Sequence, residues 1–383
     1  MDSSFIYNRP VSGRWFVGRK VESAVLSNLL REGENVTMYE PPKTGKDSLL
    51  QQVFANMKLS DGQFRVIRVS LMNVRSVESF CMRLGSEILQ AFGSTLPDYS
   101  SLVAETLGGT HFVFDELAWQ ASGTILSLGW DLDDQDIRAM VTLPYRMAML
   151  QGIRIFVCLD EFQSVMLTED GDRICRIMQD AFKARTDEDR KSASYVLCGS
   201  QVNAMKEIFE HRKLFYRQVE RVKLEPIDSK DIVESVNRGF MSSGKVVDKN
   251  LMLGVCELFK GSVYYVNCFV SICDSLSKGY IMEPVLNEAL ADMIAIHAPA
   301  FRAIMSDLTS FQVSLLRAII DGHTRFSSAE VIRKYGLNSS ANVRRLKDAL
   351  CKKEIITFDS DDNPHILDPL FEYWVTKYYF EIQ

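Results

Sequence analysis

Ile153-Arg154-Ile155-Phe156-Val157-Cys158-Leu159-Asp160-Glu161 is the stretch on which the fold turns. Apart from Arg154 its first seven residues are apolar, so both alternating faces of an extended chain are apolar here. That pattern belongs to a strand of a parallel sheet covered on each side. Two acids close the run. In open α/β sheets ligands sit outside the carboxyl ends of the strands. Solvated acids capping a strand would look the same, so the pair gains meaning only from the rest of the chain.

Three further β-rich runs share its character: Val36-Thr37-Met38-Tyr39, Arg65 to Ser70, and Ser194 to Cys198. Amphipathic segments such as Leu49 to Met57 and Val77 to Phe92 lie between them. This alternation predicts an α/β core, a parallel sheet with helices on both faces. Directly after the Val36 run comes Glu40-Pro41-Pro42-Lys43-Thr44-Gly45-Lys46-Asp47, opening a helix. A strand, a loop and a helix N-terminus form the setting of a P-loop, where backbone N–H groups and the helix dipole attract phosphate. Two positions depart from G-x-x-x-x-G-K-[ST]. Glu40 replaces the first glycine, and Asp47 stands where a hydroxyl normally binds Mg²⁺. A carboxylate is itself a hard ligand for Mg²⁺, but it also places negative charge near nucleotide phosphates. Ser48 is one residue along, turned about 100° away on a helix, and is a poor substitute.

Together the Gly45-Lys46 loop and the Asp160-Glu161 pair read as a P-loop ATPase of the additional-strand type. Asp160 would then hold the Mg²⁺ and Glu161 would polarise the attacking water. The run ending at Cys198 leads into Gly199-Ser200-Gln201. There Ser200 is either a contact to the γ-phosphate or a helix cap. Arg212 and Arg217 flank Leu214-Phe215-Tyr216, and each is open to an arginine-finger or a plain surface reading.

Four stretches now carry a resemblance to the archaeal-type ATPases of the STAND branch, relatives of AAA+ proteins. Phe16-Val17-Gly18-Arg19 with Glu22 resembles the F-x-G-R-x-x-E box, and Pro42 to Leu49 resembles P-R-R-x-G-K-T-S-L. Leu159-Asp160-Glu161-Phe162-Gln163 matches the D-E-F-Q Walker B, and Gly199-Ser200-Gln201 with Met205 resembles the sensor segment. Asp368-Pro369-Leu370-Phe371-Glu372-Tyr373-Trp374 resembles the closing D-P-x-x-x-x-W. The resemblance implies ATP and Mg²⁺ as ligands and slow hydrolysis of ATP to ADP and phosphate as a conformational switch. It assigns Gly18, Arg19, Pro42, Lys43, Thr44, Gly45, Lys46, Asp47, Ser48 and Ser200 to the nucleotide, and Asp47 and Asp160 to the metal. Glu161, Asp160 and Arg217 become the catalytic set. Where the family's lid has G-x-P, this chain has Gly261-Ser262-Val263, followed by Tyr264-Tyr265.

The resemblance and the helical pattern divide the chain into a P-loop ATPase core (1–225), a helical lid (226–303) and a winged helix (304–383). In the lid, helices from Ser229 to about Pro299 are broken at Gly244, Gly261 and Gly279. Helices over Ser310 to Ile320, Ser327 to Tyr335 and Ser340 to Lys353 precede a hairpin, the winged-helix layout. Residues 93–136 loosen into a Gly/Ser/Asp-rich insertion to which the sequence assigns no role.

Composition sets the remaining bounds. Of 383 residues 46% are apolar and 25% charged, a globular balance, and no apolar run reaches the roughly 18 residues of a membrane span. Met1-Asp2-Ser3-Ser4 lacks a signal-peptide layout. Eight cysteines without a C-x-x-C pair predict buried thiols in a reducing cytoplasm. The net charge of −6 excludes a chain-wide nucleic-acid footprint. Residues 325–353 nevertheless carry eight basic residues against Glu330 and Asp348, followed by an acidic wing at Asp359, Asp361 and Asp362. A protein partner through the winged helix is the expectation, with DNA as the alternative. The rivals to the ATPase reading are a nucleotide-handicapped scaffold and a DNA-binding regulator.

Overall fold

Strand order places the acidic strand. In the computed structural model, which describes residues 5–382, the central sheet contains β1 (Val36–Tyr39), β2 (Phe64–Ser70), β3 (Arg154–Asp160), β4 (Ala193–Gly199) and β5 (Glu220–Arg221). The reading of Met1 to Ser4 lies outside those residues. The order is β2-β3-β4-β1-β5, every neighbour parallel. One strand, β4, thus stands between the strand that leads to the phosphate loop and the strand that ends in Asp160. Ile155 to Leu159 and Ala193 to Cys198 are buried throughout, as strands covered on both faces require. The register pairs Ser70 with Asp160 and Leu159 with Leu197, bringing the strand ends level.

The chain forms two compact units. One holds Lys20–Glu40 and Val53–Leu224, and so contains the whole sheet; the other holds the residues up to Arg19, Pro41–Gln52 and Glu225 onward.

In the sheet-bearing unit the 93–136 segment is more ordered than its composition suggests. It forms helices Leu96–Leu107 and Glu116–Ser122 and a two-stranded pair, Phe112–Val113 with Ser127–Leu128. Local polar chemistry starts each helix. Thr95 and Asp98 form a capping box, and Asp115 caps the second helix. Asp136, almost fully buried, accepts the backbone N–H of His111 (2.9 Å) and of Asp133 (2.9 Å) and bonds the His111 ring (2.8 Å). Burial opposes its ionisation, yet those bonds hold its carboxyl below the usual range. The Gly/Ser/Asp content that looks like loosening thus includes the caps themselves.

The second unit carries helices Ser229–Ser242, Lys249–Leu258, Val263–Leu276 and Glu283–Ser306. Gly244 and Gly261 take left-handed φ in the turns, as the expected breaks require. Two features differ from expectation. Val246–Val247 and Tyr280–Ile281 pair as a short parallel ladder. The last helix also runs straight through Pro299. A proline inside a helix loses one backbone bond and crowds the preceding turn, but here one apolar face is buried on both sides of it, from Leu286 to Met305. Phe301 on that face packs against Phe371 (5.5 Å) and Trp374 (5.6 Å). Tertiary packing outweighs the local cost.

Beyond it lie Ser310–Ile320, Ala329–Tyr335, Ser340–Lys352 and the antiparallel hairpin Ile356–Phe358 with Pro364–Ile366. One continuous apolar core joins these helices to the preceding four, from Phe240 through Phe269 and Phe301 to Leu346 and Val375. Asp368 is a polar joint in that core. Its Oδ1 caps the helix Pro369–Trp374 through the amides of Leu370 and Phe371, and its Oδ2 accepts the Tyr265 hydroxyl at 2.7 Å. Burial and the Asp368 charge raise the Tyr265 pKa, keeping the phenol a donor. We predict that Asp368→Ala removes the cap and orphans the buried phenol, destabilising the fold by about 1–2 kcal/mol. Urea unfolding measures this, and an unchanged midpoint would contradict it.

Seven of the eight cysteines are buried and, among the described residues, no disulfide joins them. Burial pushes Cys81, Cys175 and Cys273 each up to about 12, so these thiols stay protonated at neutral pH. No described helix is long and apolar enough to cross a membrane.

Candidate functional site

The phosphate loop is built from a few backbone demands. Lys43 (φ 69°) and Gly45 (φ 92°) are both left-handed, which only Gly45 adopts without strain. The Thr44 hydroxyl donates to the Pro41 carbonyl at 2.9 Å, and the Lys46 ammonium donates to the same oxygen at 3.1 Å. Lys46 therefore folds back over the loop. It also begins the helix Lys46–Ser60, with Asp47 exposed in the first turn. A carboxylate there is favoured by the helix dipole. The Ser48 hydroxyl accepts the Val11 amide at 3.1 Å, anchoring the N-terminal segment.

The Gly18-Arg19 box reaches this loop. The Arg19 guanidinium donates to the Thr44 carbonyl and to the Glu225 carbonyl, both at 2.9 Å. Gly18 has φ 62°, and a Cβ there would stand 2.8 Å from Ile227 Cγ2, so a side chain is excluded. Lys43 points elsewhere: its ammonium lies 4.4 Å from the Tyr264 ring centroid and 5.5 Å from that of Tyr265. Through Tyr265 and Asp368 the loop is thus linked to the winged helix. The Tyr264-Tyr265 pair follows Gly261-Ser262-Val263, where the resembled ATPases have G-x-P, and its contact with Lys43 has no sequence signal.

Glu40, in the sheet-bearing unit, has a separate task. Its carboxylate accepts the Leu224 amide at 3.3 Å and lies 3.9 Å from Arg221. The residue in place of the first P-loop glycine thereby ties β1 to the chain leaving β5.

At the end of β3, Asp160 is the last strand residue and Glu161 turns the chain with φ 58° and ψ 45°. Left-handed non-glycine residues are uncommon, and such strain gathers at functional sites. The Ser200 hydroxyl donates to Glu161 Oε2 at 2.7 Å, and the Gln163 side-chain amide donates to the same oxygen. The structure therefore brings Ser200 and Glu161 together across neighbouring strand ends. Gln163 was not among the expected site residues, although it lies in the D-E-F-Q run.

The two arginines separate. Arg212 pairs with Asp172 at 2.5 Å, a surface role. Arg217 is exposed, with φ 62° and its guanidinium 5.3 Å from the Tyr216 ring. No described hydrogen bond or ion pair joins it to Glu161.

In the winged helix, ion pairs take up part of the basic charge. Lys347 binds both oxygens of Asp362 (2.8 and 3.0 Å), and Lys353 pairs with Asp307. Arg333, Arg344 and Arg345 are exposed, and no described ion pair engages them. Asp359, exposed on the wing, is held by the Asn363 and Asp361 amides and by His365, bonds that lower its pKa.

The family described as "Probable winged helix domain" matches residues 299–377. No curated protein sequence matches the chain. Among solved structures, the Walker-type ATPase PABY2304 of Pyrococcus abyssi is similar over 97% of this chain and 99% of its own, with 18% identity and TM-score 0.66. The ORC2 protein of Aeropyrum pernix, solved in ADPNP–ADP complexes, covers 96% of this chain and 93% of its own, with 13% identity and TM-score 0.56. These identities concern the fold. The chain is an α/β protein with a P-loop ATPase-like core, a helical segment and a C-terminal winged helix domain.

Proposed function

We propose that the chain binds ATP with Mg²⁺ and hydrolyses it slowly to ADP and phosphate, as a conformational switch of the STAND branch. The observation that carries this reading is Glu161, in a left-handed turn at the end of β3 with its carboxylate held by the Ser200 hydroxyl. A solvated cap has no use for such a carboxylate. In this reading Lys46 takes the β- and γ-phosphates, and Pro42, Lys43, Thr44, Gly45 and Ser48 shape the cradle. Gly18 and Arg19 lie on the adenine side. Glu161 accepts the proton of the attacking water, while Ser200 and Arg217 meet the γ-phosphate. Asp47 and Asp160 offer two carboxylates, the hard oxygen donors that Mg²⁺ takes. Bound there, the metal supplies charge neutralisation at the phosphates. The core (1–225), lid (226–303) and winged helix (304–383) serve as sensor, cover and output, and the reduced thiols suit a cytoplasmic protein. Titrating Mg²⁺-ATP into the purified chain while following ADP release tests the reading. Saturable binding without ADP would leave a nucleotide-bound scaffold, and absence of both would overturn it.

The winged helix is the output surface for a protein partner, because the wing carboxylate of Asp362 already neutralises Lys347 on the third helix. The second reading, a DNA-binding regulator, has exposed Arg333, Arg344 and Arg345 in its favour. If it holds, affinity for a duplex falls linearly with rising salt on logarithmic axes, and charge reversal at Arg344 and Arg345 removes it. Fluorescence anisotropy decides, and no binding at low salt sinks the DNA reading.

A further inference from the structure

We infer that Gln163 is a positioning residue for hydrolysis, fixing the Glu161 carboxylate together with Ser200; this rests on reading Glu161 as the acceptor of the water proton. Three features outside that reading support it. Gln163 is only 4% exposed, so its side chain is not placed by solvent. Its amide nitrogen donates to Glu161 Oε2, the oxygen that also takes the Ser200 hydroxyl. The reversed amide would set its oxygen against a carboxylate, so chemistry fixes the orientation. Its own Oε1 is left buried without a hydrogen-bond partner. A methionine of similar length would fill the space without that cost. An amide kept in a half-satisfied state is explained by what its other end holds.

Gly199 makes the arrangement possible. A Cβ at that position would lie 2.7 Å from Gln163 Oε1 and 2.4 Å from Met205 Cγ. The glycine preceding Ser200 therefore gives Gln163 room while β4 delivers the hydroxyl. Both donors take Oε2, so on this reading Oε1 is the oxygen left to accept the water proton. In the step so arranged, the water oxygen bonds the γ-phosphorus and its proton passes to Oε1. The bond from that phosphorus to the β,γ-bridging oxygen breaks, and ADP leaves with the electron pair. Glu161 then releases the proton to solvent.

The test uses the full chain with Mg²⁺-ATP. Gln163→Met is expected to lower kcat about fivefold, the worth of one hydrogen bond, with KM unmoved and the thermal midpoint not lowered. In a Glu161→Gln background the same substitution is expected to change nothing further, because it acts only through that carboxylate. A purely structural role predicts instead a lowered midpoint and equal losses in both backgrounds. If Gln163→Met fails to fold, Gln163→Asn, which keeps the amide but falls short of Glu161, replaces it. Wild-type kcat in the substituted chain, with Glu161→Gln inactive, overturns the positioning role alone. Equal turnover by wild type and Glu161→Gln overturns the parent reading instead.

Discussion

Glu161→Gln is expected to bind Mg²⁺-ATP as tightly as the wild type and to lose at least about a hundredfold in turnover, since a positioned general base contributes roughly 10²–10⁴. The substitution keeps the volume of the side chain and an oxygen able to accept the Ser200 hydroxyl, now 2.7 Å from Oε2. The left-handed backbone at residue 161 is also preserved. What disappears is the negative charge that takes the proton. Binding energy drawn from Lys46 and the loop is untouched, so the loss falls on kcat and leaves KM unmoved. Isothermal titration gives the affinity and phosphate release gives the rate. Turnover equal to wild type removes Glu161 from catalysis, and with it the reason for its strained turn.

Much of this was legible in the sequence because it rests on local patterns. The period and apolarity of Val36–Tyr39 and Arg154–Asp160 fix strands, and Gly45-Lys46 after a strand fixes the loop. The hairpin after the third C-terminal helix was likewise readable from Asp359 to Pro364 between two apolar runs. Three things were not. The helix through Pro299 depends on Phe301 meeting Phe371 and Trp374, residues some seventy positions away. Order in 93–136 depends on Asp136 being buried with three hydrogen bonds, where composition sees only an acid. Gln163 depends on β4 lying beside β3, so that Ser200 and Gln163 meet on one oxygen. Periodicity reports which face is buried; it does not report which polar groups converge.

Asp47 is where the chain departs most from the loop it resembles, and its replacement gives the second large effect. The residue sits exposed in the first turn of Lys46–Ser60, a position where the helix dipole favours an acid by about 0.3–1 kcal/mol. Asp47→Thr therefore costs a little helix stability. Toward a triphosphate the balance reverses, because a carboxylate repels what the N-terminal amides attract. Removing it while supplying a hydroxyl is expected to tighten ATP binding and raise turnover about tenfold, for which ~1.4 kcal/mol suffices. The gain should be larger for metal-free ATP than for Mg²⁺-ATP, since the ion screens the repulsion and uses the carboxylate as a ligand. Titrations with and without EDTA separate the two contributions. If Asp47 serves only the helix end, Asp47→Thr lowers the unfolding midpoint slightly and leaves affinity, metal dependence and turnover where they were. That result would end the account of Asp47 as a brake on the nucleotide.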